Sequence, residues 1–237
     1  MSEFPTSEAS TRAELLVPMP DVVHFVRQLS HDLRNSLNAA ELQSAYLVEV
    51  AEDAEIKSEV QRLRAMLSTM GANLQQLTGS LAQIRLTEMP YKAADLIEDL
   101  QDKISAQDPE QGAAITWDVN VADATLQIDP QLLQQALMEL FSNAFEHERG
   151  EGQLEARAGV AADEFTFSLR EPKKGFSDST EKWGREPFRS IRHGHYGLGL
   201  LRTRSIIEAH HGRFSAHYDP PSSSLVTTVV LPVGGSL

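Results

Sequence analysis

Leu29, Leu33 and Leu37 recur every four residues in an otherwise polar stretch, and Val22, Val26 and Leu47 extend the row. This pattern predicts an amphipathic helix that starts near Asp21, a residue suited to the N-cap. The acidic stretch Glu49–Glu55 reads as a turn. Beyond it Val60, Leu63, Leu67, Met70, Leu74, Leu77, Leu81 and Ile84 alternate spacings of three and four. A seam sustained in this way predicts coiled-coil-like packing. Gly71 and Gly79 sit off the seam, and each costs about 1 kcal/mol in a helix interior. Two helices alone bury such stripes poorly. Pairing the hairpin with a second copy gives a four-helix bundle, so a homodimer is expected. The alternative cover is the C-terminal half of the same chain.

Met89-Pro90 is expected to end the helix and mark the domain boundary, dividing 21–89 from 90–237, with 1–20 as a flexible lead-in. After it the period changes. Ala93–Ile104 reads as a helix. Ile115, Trp117, Val119 and Val121 alternate as a strand with one buried face. Thr125–Ile128 is a short strand, and Asp129-Pro130 opens a helix running to about Glu148, with Pro130 at the favoured first position. Strands are expected at Gln153–Val160, Phe165–Leu169, Arg213–Tyr218 and Leu225–Leu231, and a helix from Gly197 to about His210. Between them, Glu171–Tyr196 has no regular period, and loops of that length in compact domains are usually functional or disordered. The fold class is α+β: an antiparallel helical hairpin followed by an α/β sandwich with its helices on one face of the sheet.

Composition narrows the functions available. The 237 residues are 41% hydrophobic and 23% charged, enough for a core and against wholesale disorder. A formal net charge of −13 argues against non-specific nucleic-acid binding and an anionic membrane surface. There is no cysteine, so disulfides and thiolate metal sites are excluded, and a reducing cytoplasm is compatible. No apolar run approaches a membrane span, and no signal peptide is visible. The histidines lack metal-ligand spacing, and His210-His211 reads as a basic helix end.

His31 lies two positions from both Leu29 and Leu33. At about 100° per residue it therefore faces away from the stripe, toward water. An exposed imidazole beside Asp32 is a candidate phosphoacceptor or general base, and a surface residue without a role is the simpler alternative. Glu139, Asn143 and His147 are spaced four apart on one helix face, a donor set suited to a hard metal and phosphate oxygens, or simply a polar outer face. Gly197-Leu198-Gly199-Leu200 lets a phosphate approach backbone N–H groups at a helix start, or forms an ordinary helix entry. The long loop concentrates Lys182, Arg185, Arg189 and Arg192 in an acidic chain, as a lid over an anion would, or as a solvated loop would.

The order of these parts resembles a sensor histidine kinase core over about residues 21–232. His31-Asp32-Leu33-Arg34-Asn35 looks like the family's H box, and Glu139 through His147 like its N box. Glu186-Pro187-Phe188 is similar to the F box, Gly197-Leu198-Gly199-Leu200 to the G2 box, and Ile206 through Arg213 to the run that follows it. The resemblance implies a dimerisation and histidine-phosphotransfer hairpin joined to a Bergerat-type ATP-binding domain of the GHKL superfamily. It implies that Mg2+-ATP binds through Glu139, Asn143, His147, Glu171, Gly175, Phe188, Gly197, Leu198, Gly199 and Leu200, with Asn143 and Glu139 on the metal. His31 would then attack the γ-phosphate with Asp32 as proton acceptor, the two domains closing on each other. The phosphoryl group would pass to a response-regulator receiver aspartate, and Asn35 would position water for dephosphorylation. Glu171-Pro172-Lys173-Lys174-Gly175 departs from the family's Asp-x-Gly-x-Gly G1 box, whose aspartate bonds the adenine amino group. His195 stands where G2 has its first glycine, Glu146 where a lysine is common, and Ser36 where proline is usual. Those departures keep two other readings open: a histidine phosphotransferase or phosphatase that no longer binds ATP, and a non-catalytic dimeric interaction protein.

Overall fold

The computed structural model describes residues 18–146, 150–173, 175–176, 179–186 and 197–234. The chain divides into two compact units between Thr78 and Gly79.

The first unit is the helical hairpin. Helix α1 (Met19–Val50) starts after Pro18, so Asp21 lies in its first turn rather than at its cap. A short turn at Ala51–Asp53 follows, and α2 (Ala54–Ser80) begins where Asp53 Oδ1 accepts the N–H of Glu55 at 2.7 Å. Within the hairpin, the covered side of α1 is not the leucine stripe. Ser30 and Ser44 are its buried residues, two heptads apart, with Val26, Leu37 and Val48 half-buried along the same row. On α2 the half-buried row runs Val60, Arg64, Leu67, Gly71 and Leu74, while Leu63, Met66 and Met70 are exposed. The single predicted seam is therefore two rows, one covered inside the hairpin and one left open. Leu29 and Leu33 belong to the open row, at 45% and 42% exposure, together with Phe25, Leu47 and Val50. The apolar arc of α1 is therefore wider than the single row that the hairpin covers.

Helix α2 ends at Ser80, short of the expected break at Met89, so Leu81 and Ile84 lie beyond it. Thr78 Oγ1 bonds back to the Leu74 carbonyl at 2.8 Å, and the Ala82 N–H closes a turn on Gly79 O at 3.2 Å. A hydroxyl back-bond followed by glycine weakens the helix at that point. Met89-Pro90 instead opens strand β1 (Met89–Lys92), which pairs antiparallel with β3 (Thr125–Ile128).

The second unit is a two-layer α/β sandwich. Helix α3 (Ala93–Gln107) and a short α4 (Pro109–Ala113), absent from the sequence-based expectation, lead into β2 (Ile115–Asn120). Helix α5 (Pro130–Glu146), β4 (Leu154–Ala161), β5 (Glu164–Pro172), α6 (Gly199–Ala209), β6 (Arg213–Asp219) and β7 (Ser224–Pro232) complete it, with one 3-10 turn at Pro220–Ser222. The five-stranded sheet has the order β2-β4-β5-β7-β6, with β2 parallel to β4 and the other pairs antiparallel. Strand β2 is an edge, which is why Val119, expected on a buried face, is exposed. Phe165, Phe167 and Leu169 of β5, Leu154 and Ala156 of β4 and Val229 of β7 bury against Leu96 and Leu100 of α3 and Leu137 and Phe141 of α5. The Phe141 ring lies 5.6 Å from Trp117 and 6.1 Å from Phe167, so α5 is fixed across the middle of the sheet.

The start of α5 is also the meeting point of the unit. Asp129 Oδ1 caps the helix through the Leu132 N–H at 3.0 Å, and Oδ2 accepts the Thr87 N–H at 2.9 Å. The Asp129 N–H donates to His210 Nε2 at 2.9 Å, and His210 Nδ1 meets Ile206 O at 2.8 Å. An imidazole that accepts at Nε2 and donates at Nδ1 is neutral. His210 is a buried connector between α6 and α5, not the solvated basic helix end that its neighbourhood in sequence suggests.

Candidate functional sites

In the hairpin, His31 follows buried Ser30 on α1 and faces away from the open row of Leu29 and Leu33, its side chain 66% exposed. Its Nδ1 is 3.2 Å from Asp32 Oδ1, and Gln28 Nε2 donates to the same oxygen at 3.1 Å. The two hydrogen bonds, the one from His31 first, hold the Asp32 carboxyl below the usual carboxylate range. With Nδ1 donating to a carboxylate, the lone pair of the neutral ring sits on Nε2, turned away from Asp32. Asn35 Nδ2 lies 3.4 Å from Nδ1, too long for a strong hydrogen bond. Asn35 is thus beside the ring without orienting it.

In the α/β unit, the second half of α5 meets the start of α6. Asn143 Nδ2 donates to the Glu139 carbonyl at 2.7 Å and to Glu139 Oε1 at 3.1 Å. That leaves the amide oxygen of Asn143 as the edge able to meet a cation. The Glu139 carboxylate in turn sits over Gly199, where a Cβ would stand 1.8 Å from Oε1. Gly199 is the first residue of α6, so the carboxylate also lies at the positive end of a helix dipole. Gly197 has φ +64°, a left-handed conformation that glycine adopts freely. The adjacent leucines act differently from the expectation. Leu198 is buried and Leu200 packs against the core, so their side chains anchor the turn while the backbone between them is what faces the site. His147 and Phe188 lie outside the described residues, as do His195, Arg189 and Arg192.

Glu171 ends the inward-facing row of β5 that begins with Phe165, Phe167 and Leu169. Its carboxylate forms an ion pair with the Lys173 ammonium, and both residues are buried, at 6% and 7% exposure. The backbone around the pair is held on two sides. The Gly150 N–H donates to Pro172 O at 2.7 Å and the Lys173 N–H to Ser223 O at 2.8 Å. The first of these bonds brings the connection leaving α5 back to the end of β5. Gly175 is exposed, with nothing near its Cβ position.

The described part of the expected lid is anchored. Gly184, at φ +67°, packs so closely on α6 that a Cβ would lie 2.6 Å from Leu200 O. Arg204 donates to Trp183 O through Nε at 3.1 Å and Nη2 at 2.9 Å, and Thr180 Oγ1 donates to Ala216 O at 2.7 Å. Phe176 stacks near Trp183 and Tyr218. Lys182 pairs with Glu186, so this cation of the loop is already partly neutralised. Sequence reasoning missed this anchoring because single aromatic residues spread over the loop have no period.

Among the described residues, no group of three or more His, Cys, Asp or Glu side chains forms a metal cage. The donor set at Asn143 and Glu139 nevertheless fits magnesium, which takes one or two protein oxygens and fills its remaining positions with phosphate and water.

Residues 128–235 match the model of the histidine kinase-, DNA gyrase B-, and HSP90-like ATPase family. Sensor histidine kinase ZraS of Klebsiella oxytoca is 26% identical over 233 residues, covering 96% of this chain and 49% of the relative. Adaptive-response sensory kinase SasA of Synechocystis sp. is 24% identical over 237 residues, covering 90% of this chain and 60% of the relative. This chain therefore spans about half the length of the curated relatives it matches. Full-length ShkA in complex with AMPPNP shares the fold with a TM-score of 0.70 at 21% identity, covering 90% of this chain and 46% of that one. Histidine kinase ThkA in complex with the response regulator TrrA does so with a TM-score of 0.56 at 17% identity, covering 89% and 61%. The part of the chain that matches this ATPase family lies within the α/β unit. Over most of its length the chain is similar to proteins named as sensor or sensory kinases. Among the described residues, no helix is long and apolar enough to cross a membrane.

Proposed function

We propose that the chain is an ATP-dependent protein histidine kinase that phosphorylates itself on His31 and passes the phosphoryl group to an aspartate of a response-regulator receiver. The observation that carries this reading is the exposed His31 ring held at Nδ1 by Asp32, with Nε2 left as the nucleophile. In the transfer, a bond forms between Nε2 and the γ-phosphorus, the bond to the bridging oxygen breaks, and ADP leaves. Asp32, kept ionised by its two donors, takes up the Nδ1 proton as positive charge develops on the ring. Glu139 and Asn143 would hold a magnesium ion, which neutralises phosphate charge when bound. With the Glu139 carboxylate already over the start of α6, phosphate can approach Gly199 only with a cation between.

In this reading residues 21–89 serve phosphotransfer and dimerisation and residues 90–237 hold the nucleotide. Leu29, Leu33, Leu47 and Val50 are the face that a second copy covers, making a homodimer. The chain would work in the cytoplasm, where ATP and receiver proteins are available. Incubation with γ-labelled ATP and magnesium tests the reading. Acid-labile label is expected on the wild type and none on His31→Gln, whereas label that survives in the variant would sink it. The Lys173–Glu171 pair favours a second reading, histidine phosphotransferase or phosphatase activity without ATP. It predicts no label from ATP and label on His31 from a phosphorylated receiver.

A further inference from the structure

We propose that Lys173 sets the base selectivity of the nucleotide site by holding the Glu171 carboxylate, so that the chain binds ATP and GTP with similar, weak affinity. This rests on the nucleotide reading above. Glu171 is the polar end of the β5 row that faces α5, and the Gly150 to Pro172 hydrogen bond ties that end to the connection leaving α5. A carboxylate in that place is an acceptor, suited to the exocyclic amino group of adenine. Lys173 brings an ammonium to it from two residues away on the same chain, with the backbone pinned by Gly150 and Ser223. A Cβ on Gly150 would stand 2.9 Å from the Lys173 carbonyl carbon, so the backbone there has little room to shift.

The competition is uneven. The adenine amino group is a neutral donor, whereas Lys173 is a covalently tethered cation already desolvated beside its partner. A charge-assisted contact is roughly twice as strong as one between neutral groups, and breaking a buried pair leaves an uncompensated charge. The base therefore does not displace Lys173. The Lys173 ammonium is itself a donor and would suit the guanine carbonyl at least as well as the adenine amino group. Affinity then comes from the phosphates and from contact with the ring, which the two purines share.

The test is equilibrium binding of Mg-ATP and Mg-GTP to three forms of the full chain, each checked for folding by circular dichroism. These are the wild type, Lys173→Met, and the double variant Glu171→Gln with Lys173→Met. The wild type is expected to bind both nucleotides within about threefold of each other. Lys173→Met should prefer ATP by about tenfold or more, the value of one hydrogen bond to a charged acceptor. The double variant should lose that preference. A wild type that already favours ATP about tenfold overturns the proposal, as does a folded Lys173→Met without preference. Should Lys173→Met fail to fold, the wild type and the charge-free double variant are expected to show the same lack of preference, and a selective wild type again overturns it. Absence of binding by either nucleotide to every folded form is a different result. It removes the nucleotide reading itself, and the proposal with it.

Discussion

The hairpin and the α/β unit contain comparable apolar patterns and use them in opposite ways. In the α/β unit Phe141, Phe165, Phe167, Leu137 and Leu154 close on one another, and the core is complete within the chain. In the hairpin Phe25, Leu29, Leu33, Leu47 and Met70 remain in solvent, while the covered row of α1 contains Ser30 and Ser44. One unit is covered by its own residues and the other leaves an apolar row exposed. The difference suits the function proposed above, in which His31 must be reached by other proteins and the nucleotide must be shielded from water. It also shows that an apolar stripe reports how much surface needs covering and not which element covers it.

The sharpest break of this comparison is Leu33→Asp. A charge placed in the open row should weaken self-association at least about a hundredfold, as sedimentation over a concentration series would show, because a buried unpaired charge costs about 3–5 kcal/mol. The same change should leave the melting of the α/β unit unaltered, and a shift there would deny the independence of the two units.

Gly199→Ala probes the closed unit. Its Cβ would lie 1.8 Å from Glu139 Oε1, so the carboxylate must move or α6 must shift. The expected loss is about 1–3 kcal/mol of stability, with a matching fall in nucleotide-induced thermal stabilisation. Gly71→Ala goes the other way. Gly71 is on the covered row of α2, yet a Cβ there meets nothing within 4 Å, so close approach does not explain the glycine. Alanine should raise the stability of the hairpin by about 1 kcal/mol in denaturant titration, and a loss would reveal a partner that fills that space.

The smallest effect concerns Asp32. Its carboxyl is held below the ordinary range by His31 and Gln28. A lowered folded-state pKa means that the stabilising contribution is present above the ordinary Asp value near pH 4 and is lost as pH falls through the lower folded value. His31→Ala should move the Asp32 titration upward in a carboxyl NMR experiment, and an unchanged midpoint would remove His31 as the cause.

The fold was largely legible in the chain. In the α/β unit nine elements stand within a few residues of where periodicity and capping placed them: α3, β2, β3, α5, β4, β5, α6, β6 and β7. What escaped was of two kinds. Strand β1 was hidden because Met89-Pro90 carries a helix-ending signal, and its pairing with β3, from Met89 with Ile128 to Lys92 with Thr125, is decided by a segment distant in sequence. The true end of α2 was hidden because Leu81 and Ile84 continue the seam after Thr78 and Gly79 have weakened the helix. For the site, the residue types of the His31 and Glu139–Asn143 groups were visible from spacing alone, since neighbours on a helix face are neighbours in sequence.

The sequence by itself determined the local facts: two amphipathic helices, a mixed α/β half, an outward His31 beside Asp32, and glycines at the start of α6. Periods, caps and adjacent residues are written in consecutive positions, so no other part of the chain needs to be known. Tertiary structure decided the rest: the split of one seam into a covered and an open row, the seat of Glu139 on Gly199, the burial of His210 between helices, and the neutralisation of Glu171 by Lys173. Each depends on where a distant segment brings its backbone. Burial, moreover, turns the same side chain from a solvated charge into a paired or neutral group.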